Sequence, residues 1–172
     1  MRFEKVSFDE FKKSYNKLKS NFESFDDKEL KEIYDNIKLP KRATAKSAGY
    51  DFYAPFYFEV GHHLSMHNAV VIPTGIKVCL DDDKVLMLAP RSGLGFKRGV
   101  ELANTIGVID ADYYNNADNE GHIMAKIQTK CEWDDAKINA GDAYMQGIII
   151  SYYTVENDCS DSERKGGLGS TG

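Results

Sequence analysis

Phe8, Phe11, Tyr15, Leu18 and Phe22 recur at spacings of three and four, with lysines between them. That is the period of a helix with one buried face. Ser7-Phe8-Asp9-Glu10 stands before the stripe with capping-box spacing, and Val6 precedes it as a hydrophobic staple. Ser24 to Asp27 interrupts the pattern and offers new caps. Leu30, Ile33, Tyr34 and Ile37 form a second short stripe, which Pro40 ends. Residues 1 to about 38 therefore predict helix throughout. An amphipathic stripe of this kind either docks a partner or packs on its own domain, and ordinary burial is the commoner use.

From Lys41 the pattern changes to short apolar or alternating runs: GYDFYA (49–54), AVVIP (69–73), GIKVCL (75–80), KVLMLAP (84–90), VELAN (100–104), HIMAKIQTKCEW (122–133) and YMQGIIISYYTV (144–155). Gly, Asn, Asp or Pro separates most of them. This rhythm predicts an all-β sandwich or barrel rather than alternating βαβ units. Asp81-Asp82-Asp83 reads as a solvated turn between strands rather than a metal cluster. The last stretch, 160–172, is polar and rich in glycine, as a loose terminus is. It also concentrates Arg164, Gly166, Gly167, Gly169, Ser170 and Thr171. Glycine amides and Ser/Thr hydroxyls are the donors of a phosphate cradle.

Composition narrows this picture. A length of 172 residues suits one domain with an appendage. A net charge of -5 argues against coating nucleic acid, though it allows a local basic pocket for one anion. Cys79, Cys131 and Cys159 are widely spaced and odd in number, with no CxxC pair, which fits a reducing interior. No apolar run reaches the roughly 18 residues of a membrane span, and no secretory signal is visible. The expectation is a cytoplasmic protein without membrane attachment.

Candidate chemistry lies in three places. APRSGLGFKRG (89–99) offers Arg91 as a fork of phosphate donors, with Ser92 and Gly93 beside it. It is neither a P-loop nor a GxGxxG loop, and by itself a turn rich in Gly and Arg is unremarkable. GVIDADY (107–113) ends an apolar run on Asp110, where a carboxylate could orient and deprotonate water, and Tyr113 could wall a sugar or base. Taken alone, Asp110 reads as a turn aspartate. His62, His63 and His67 suggest zinc, but no third spaced ligand accompanies them.

Read in order, AGYDFYA (48–54), PRSGLGFKRGVELAN (90–104), GVIDADYY (107–114), AGDAYMQGII (140–149) and RKGGLGSTG (164–172) form a series. It resembles the five ordered motifs of the trimeric dUTP pyrophosphatases (dUTPases). IKLPKRAT (37–44) looks like the family's lead-in, so the resemblance covers 37–172. It implies a distorted jelly-roll β-barrel at 37–159 and a flexible tail at 160–172 that closes the site, while the helical extension at 1–36, read from its periodicity, lies outside the usual family core. It also implies a homotrimer with sites shared between subunits, and Mg2+ held by substrate phosphates and waters rather than by protein ligands. The implied reaction is dUTP plus water to dUMP and pyrophosphate by attack at the α-phosphate. Such a reaction limits uracil in DNA and supplies dUMP for thymidylate synthesis.

By the same resemblance Asp110 activates the water. The backbone around Gly107 and Ile109, with Asn104, reads uracil, and Tyr113 packs on deoxyribose. Arg91, Ser92, Gly93 and Gln146 contact phosphates, and Asp51 organises the metal waters. Arg164, Gly169, Ser170 and Thr171 close on the terminal phosphate, with Leu168 over the base. The chain departs from the family pattern at several points. Leu168 replaces a stacking phenylalanine, Arg164 lies four residues before it instead of five, and Ala143 replaces a supporting arginine. Tyr114 to Glu120 is longer and more polar than the usual continuation. Two other readings are a dCTP deaminase, to which Glu101 points faintly, and a nucleotide-gated binding protein whose helical extension or tail contacts a regulatory partner.

Overall fold

The computed structural model describes residues 1–19, 23–61, 69–130, 135–160, 164, 166 and 167. Phe22, the zinc candidates His62, His63 and His67, and the tail residues Leu168, Gly169, Ser170 and Thr171 lie outside the described residues.

The chain opens with a strand, β1 (Arg2–Lys5), followed by helices α1 (Phe8–Leu18) and α2 (Asp27–Asn36). Helix through residues 1 to 38 is therefore corrected at its start: β1 pairs antiparallel with β6 (Ile76–Cys79), from Arg2 opposite Cys79 to Lys5 opposite Ile76. The cause is long-range. Phe3 packs its ring on Tyr50 and Phe52 at 5.3 and 5.6 Å, which an isolated helix could not supply. Ser7 then caps α1 by accepting from the Glu10 amide, and Asp26 caps α2 in a complete capping box with Glu29. Lys5 closes the other end of α2 by donating to the carbonyls of Tyr34 and Asp35 at 2.8 and 2.9 Å.

The remaining strands are β2 (Lys41–Arg42), β3 (Tyr50–Tyr53), β4 (Phe58–Val60), β5 (Ala69–Pro73), β7 (Lys84–Pro90), β8 (Val100–Leu102), β9 (Gly107–Ile109), β10 (Met124–Thr129), β11 (Ala136–Ile138) and β12 (Ala143–Ser151). A short helix α3 (Ser92–Arg98) follows β7. The strands form four sheets in the orders β1-β6, β5-β10-β8, β11-β4 and β2-β3-β12-β7-β9. Every pairing is antiparallel. Alternation sets the faces: in β10, Ala125, Ile127 and Thr129 are buried while Lys126 is exposed. This is an all-β fold of jelly-roll type, although no single ladder closes these sheets into one barrel among the described residues. Asp82 and Asp83 form the turn expected between β6 and β7.

One core unites the sheets with the N-terminal helices. Phe11 and Tyr15 of α1 are buried beside Phe52, Phe56, Ile72, Leu86 and Met145. Burying two such rings contributes about 1.5–3 kcal/mol each. Gly75 shows how closely the parts fit: its φ is +72°, and a Cβ there would lie 2.4 Å from Ile37 Cδ1 and 3.4 Å from Phe11 Cδ2. Phe11 and Tyr15 of the extension's apolar stripe are thus packed into this core. Among the described residues no helix is long and apolar enough to cross a membrane.

Candidate active site

The first group of predicted residues lies on β9 and just beyond it. β9 is the outer strand of the five-stranded sheet, held only by β7, with Ile109 opposite Leu86 and Gly107 opposite Leu88. Its other edge therefore presents backbone donors and acceptors with no strand partner among the described residues. Asn104 sits exposed in the turn that precedes β9, where Thr105 takes a left-handed φ of 66°. Asp110 begins a 3-10 turn (Ala111–Tyr113) without capping it, so its carboxylate, about half exposed at 52%, stays available for other work. Tyr113 points inward and is buried. Burial raises its pKa, against the Asn119 hydrogen bond and the Arg164 charge, so the phenol stays neutral.

Arg164 from the tail joins this group. It donates from Nη2 to Asp110 and from Nε to Asp112, both at 2.8 Å, and its guanidinium lies 5.5 Å from the Tyr113 ring centroid. Gly167 N donates to Asp118 Oδ2 at 2.8 Å, so the tail crosses the segment that follows Tyr113. These contacts are charge-assisted and link the tail to the predicted catalytic carboxylate.

The second group lies at the far end of β7. Arg91 follows Pro90 as the N-cap residue of α3, and its Nε is 3.3 Å from Asp51 Oδ1. Asp51 and Gln146 are register partners on β3 and β12, and Gln146 donates to the Pro90 carbonyl at 3.4 Å. Gly49 makes room for that glutamine, since a Cβ there would meet Gln146 Oε1 at 2.4 Å. A Cβ at Gly93 would meet nothing within 4 Å, so that glycine leaves open space instead of serving the packing. Pro90, Arg91, Ser92, Gly95, Phe96 and Gln146 line an open groove of about 600 Å³. Phe96, which was not singled out from the sequence, is almost fully exposed on its rim. Among the described residues no three His, Cys, Asp or Glu side chains gather to hold a metal. Asp51, which contacts the groove residue Arg91, is a hard oxygen donor of the kind Mg2+ takes, directly or through a water.

The fold does not bring the two groups together within one chain. The β7–β9 register sets Asp110 beyond the Leu86 end of β7, whereas Arg91 follows Pro90 at the other end. Six residues of strand separate those levels, ~20 Å at the usual rise. Asp110, Tyr113 and Arg164 form one half, and Asp51, Arg91, Ser92, Gly93 and Gln146 form the other. Glu101, the deaminase pointer, is committed elsewhere. It accepts from Gln128 across the strand pair and binds Lys130, each at 2.8 Å, and the Lys130 hydrogen bond leads the causes that lower its pKa. Sequence reasoning missed Asn119 and His122, which hold Tyr113. The signal for Asn119 was the unusual length and polarity of Tyr114 to Glu120, and His122 lay beyond that segment.

Comparison with known proteins places the chain in a family. The dUTPase family model matches residues 35–172. The deoxyuridine 5'-triphosphate nucleotidohydrolase of Lactococcus lactis subsp. lactis is 37% identical over 140 residues, covering 79% of this chain and 89% of the relative. The enzyme of the same name from Hamiltonella defensa is 34% identical over 148 residues, covering 83% and 92%. Among solved structures, the dUTPase of Streptococcus mutans superposes with a TM-score of 0.66 at 30% identity, over 91% of this chain and 100% of that one. A variant dUTPase of the S. aureus phage phi11, described for its coordination of a structural Mg(II) ion, shares the fold at a TM-score of 0.59 and 21% identity, over 74% and 92% of the two chains. The chain belongs to the dUTPase family.

Proposed function

We propose that this protein hydrolyses dUTP to dUMP and pyrophosphate in a homotrimer, at sites that each combine the two halves from different copies. The observation that carries the shared site is the separation of Asp110 from the Arg91 groove along β7. A triphosphate cannot bridge that distance while its α-phosphate stays beside Asp110. A second copy can supply the missing half, as closed symmetric oligomers do. Large apolar side chains left exposed along the same sheet, Val108 on β9 and Ile150 on β12, with Tyr153 and Val155 just beyond it, support burial against other copies.

In this reading the open edge at Gly107 and Ile109, with Asn104, binds the uracil edge through backbone groups. Tyr113 packs against C2′ of the deoxyribose. Arg91, Ser92, Gly93 and Gln146 hold phosphate oxygens, where a bidentate arginine is strongest. Asp110 accepts a proton from a water held in line with the α-phosphate, the water oxygen bonds to the α-phosphorus, and the bond from that phosphorus to the bridging oxygen breaks, so dUMP forms and pyrophosphate leaves. Arg164 exchanges the carboxylates of Asp110 and Asp112 for phosphate oxygens, a trade between similar charge-assisted partners. Leu168 covers the base, and Gly169, Ser170 and Thr171 add donors to the terminal phosphate. Asp51 would hold Mg2+ through its waters, and the ion would supply charge neutralisation at the phosphates. The product feeds thymidylate synthesis, and removal of dUTP limits uracil in DNA. The cytoplasm is the compartment that suits such a role.

The test is release of pyrophosphate from dUTP, with little from UTP or dCTP. Asp110→Asn abolishes turnover and keeps the trimer. A wild-type protein that binds dUTP and releases no pyrophosphate ends this reading.

A further inference from the structure

Tyr113 is gripped at its far end. Its Oη donates to the His122 carbonyl at 3.1 Å and accepts from Asn119 Nδ2 at 2.8 Å. Asn119 is itself oriented: its Oδ1 accepts from Asn116 Nδ2 at 2.8 Å and from the Gly121 amide at 3.1 Å, which turns its Nδ2 toward the phenol. The turn that does this is costly. Asn115 and Glu120 sit at φ 56° and 57°, a region that disfavours side chains. Gly121 has no alternative residue, because its φ is +79° and a Cβ would meet the Tyr113 carbonyl oxygen at 2.7 Å.

The N-terminal segment holds this turn in place. Ser7 donates from its amide and its hydroxyl to the Glu120 carboxylate at 2.9 and 2.5 Å, and Lys13 donates to the Asp118 carbonyl at 2.6 Å. Below it, buried His122 accepts the Gly75 amide on Nε2 at 2.8 Å and faces Ser14 Oγ at 3.2 Å and Glu10 Oε1 at 3.6 Å through Nδ1. The tyrosine wall therefore rests on α1, which lies outside the residues that match the family model.

We propose that Asn119 is a positioning residue for sugar discrimination, and that α1 is its support. The inference rests on the dUTPase reading and on Tyr113 as the wall against C2′. A hydrophobic pocket by itself rejects an added hydroxyl only about a hundredfold. Fixing the phenol at two points stiffens the ring, and stiffness is what a steric filter against a 2′-hydroxyl needs.

The experiment measures kcat/KM for dUTP and UTP in the wild type, Asn119→Ala, Asn119→Asp, Tyr113→Phe and Asn119→Ala/Tyr113→Phe. Asn119→Asp keeps the shape and loses the donor, and it carries the test if the alanine variant does not fold. Loss of one anchoring hydrogen bond lowers the dUTP/UTP ratio by about five- to tenfold. The double variant falls no further than Tyr113→Phe alone, since Asn119 acts through the phenol. Lys13→Ala lowers the ratio in the same direction by a smaller factor. Unchanged ratios in both Asn119 variants overturn the inference while leaving the dUTPase reading intact. So does an equal fall for both nucleotides, or an additive double variant. A wild type that does not prefer dUTP over UTP overturns both.

Discussion

Phe11→Ala tests whether the N-terminal segment is part of the core or an appended docking device. Phe11 is fully buried, with ring contacts to Tyr34 at 5.9 Å and His122 at 6.3 Å. The Gly75 backbone closes one side of the site, and its left-handed φ leaves it little freedom to shift. His122 is tied by its own hydrogen bonds to Gly75 and Ser14. A cavity with such fixed walls collapses poorly, so the cost falls in the range of about 3–5 kcal/mol for an aromatic truncation. For a chain of this size each kcal/mol moves Tm by roughly 2–4 °C, so the expected fall is about 6–20 °C. The assay is thermal unfolding by circular dichroism at fixed protomer concentration, because an oligomer's Tm depends on it. Lys28→Ala, at an exposed position on α2, is the control and stays within about 0.5 kcal/mol. A Tm for Phe11→Ala indistinguishable from that of Lys28→Ala refutes the integral packing of α1.

Two further predictions concern the support of Tyr113. Burial pushes the His122 pKa from 6.5 down to about 4, against the pull of Glu10 and Glu120. The native state therefore binds fewer protons than the unfolded chain between those values. Stability is complete above about pH 6.5 and declines as pH falls toward 4, by about 3 kcal/mol at most. Denaturant titrations from pH 4 to 7 check this, and a pH slope that is unchanged in His122→Asn contradicts it. Gly121→Ala forces a Cβ against the Tyr113 backbone and costs at least about 1–3 kcal/mol. It also raises KM for dUTP, as steady-state kinetics will show; a variant with wild-type Tm and KM argues against the contact.

Much of the strand pattern was legible because alternation and turn residues are local signals. The AVVIP and KVLMLAP runs coincide with β5 and β7. The YMQGIIISYYTV run overshoots, because after Ser151 the Tyr152 amide and hydroxyl bond to Asp83 and Asp82 and the chain leaves the sheet. β1 escaped notice since its pairing partner lies more than 70 residues away. The Ser7–Glu10 spacing suggested a full capping box, but only the Ser7 half forms. Glu10 turns to Ser14, Lys13 and the neighbourhood of His122, while Glu120 takes the Ser7 amide. No local rule anticipates a competitor from so far along the chain. The site residues were legible as an ordered set of motifs. The resemblance also implied sites shared between subunits, but which residues fall in which half was not legible, because it depends on strand register, which spacing along the chain does not encode.

The central claim is that Asp110 of one copy works on phosphates held by Arg91 of another. Asp110→Asn and Arg91→Ala, each inactive or nearly so alone, are mixed, dissociated, reassembled and assayed for pyrophosphate release from dUTP. With shared sites, random reassembly at equal amounts gives about a quarter of the sites both native halves, and activity returns to that order. If each chain instead carried a complete site, every site would keep one defect, and the mixture would stay as inactive as its parents.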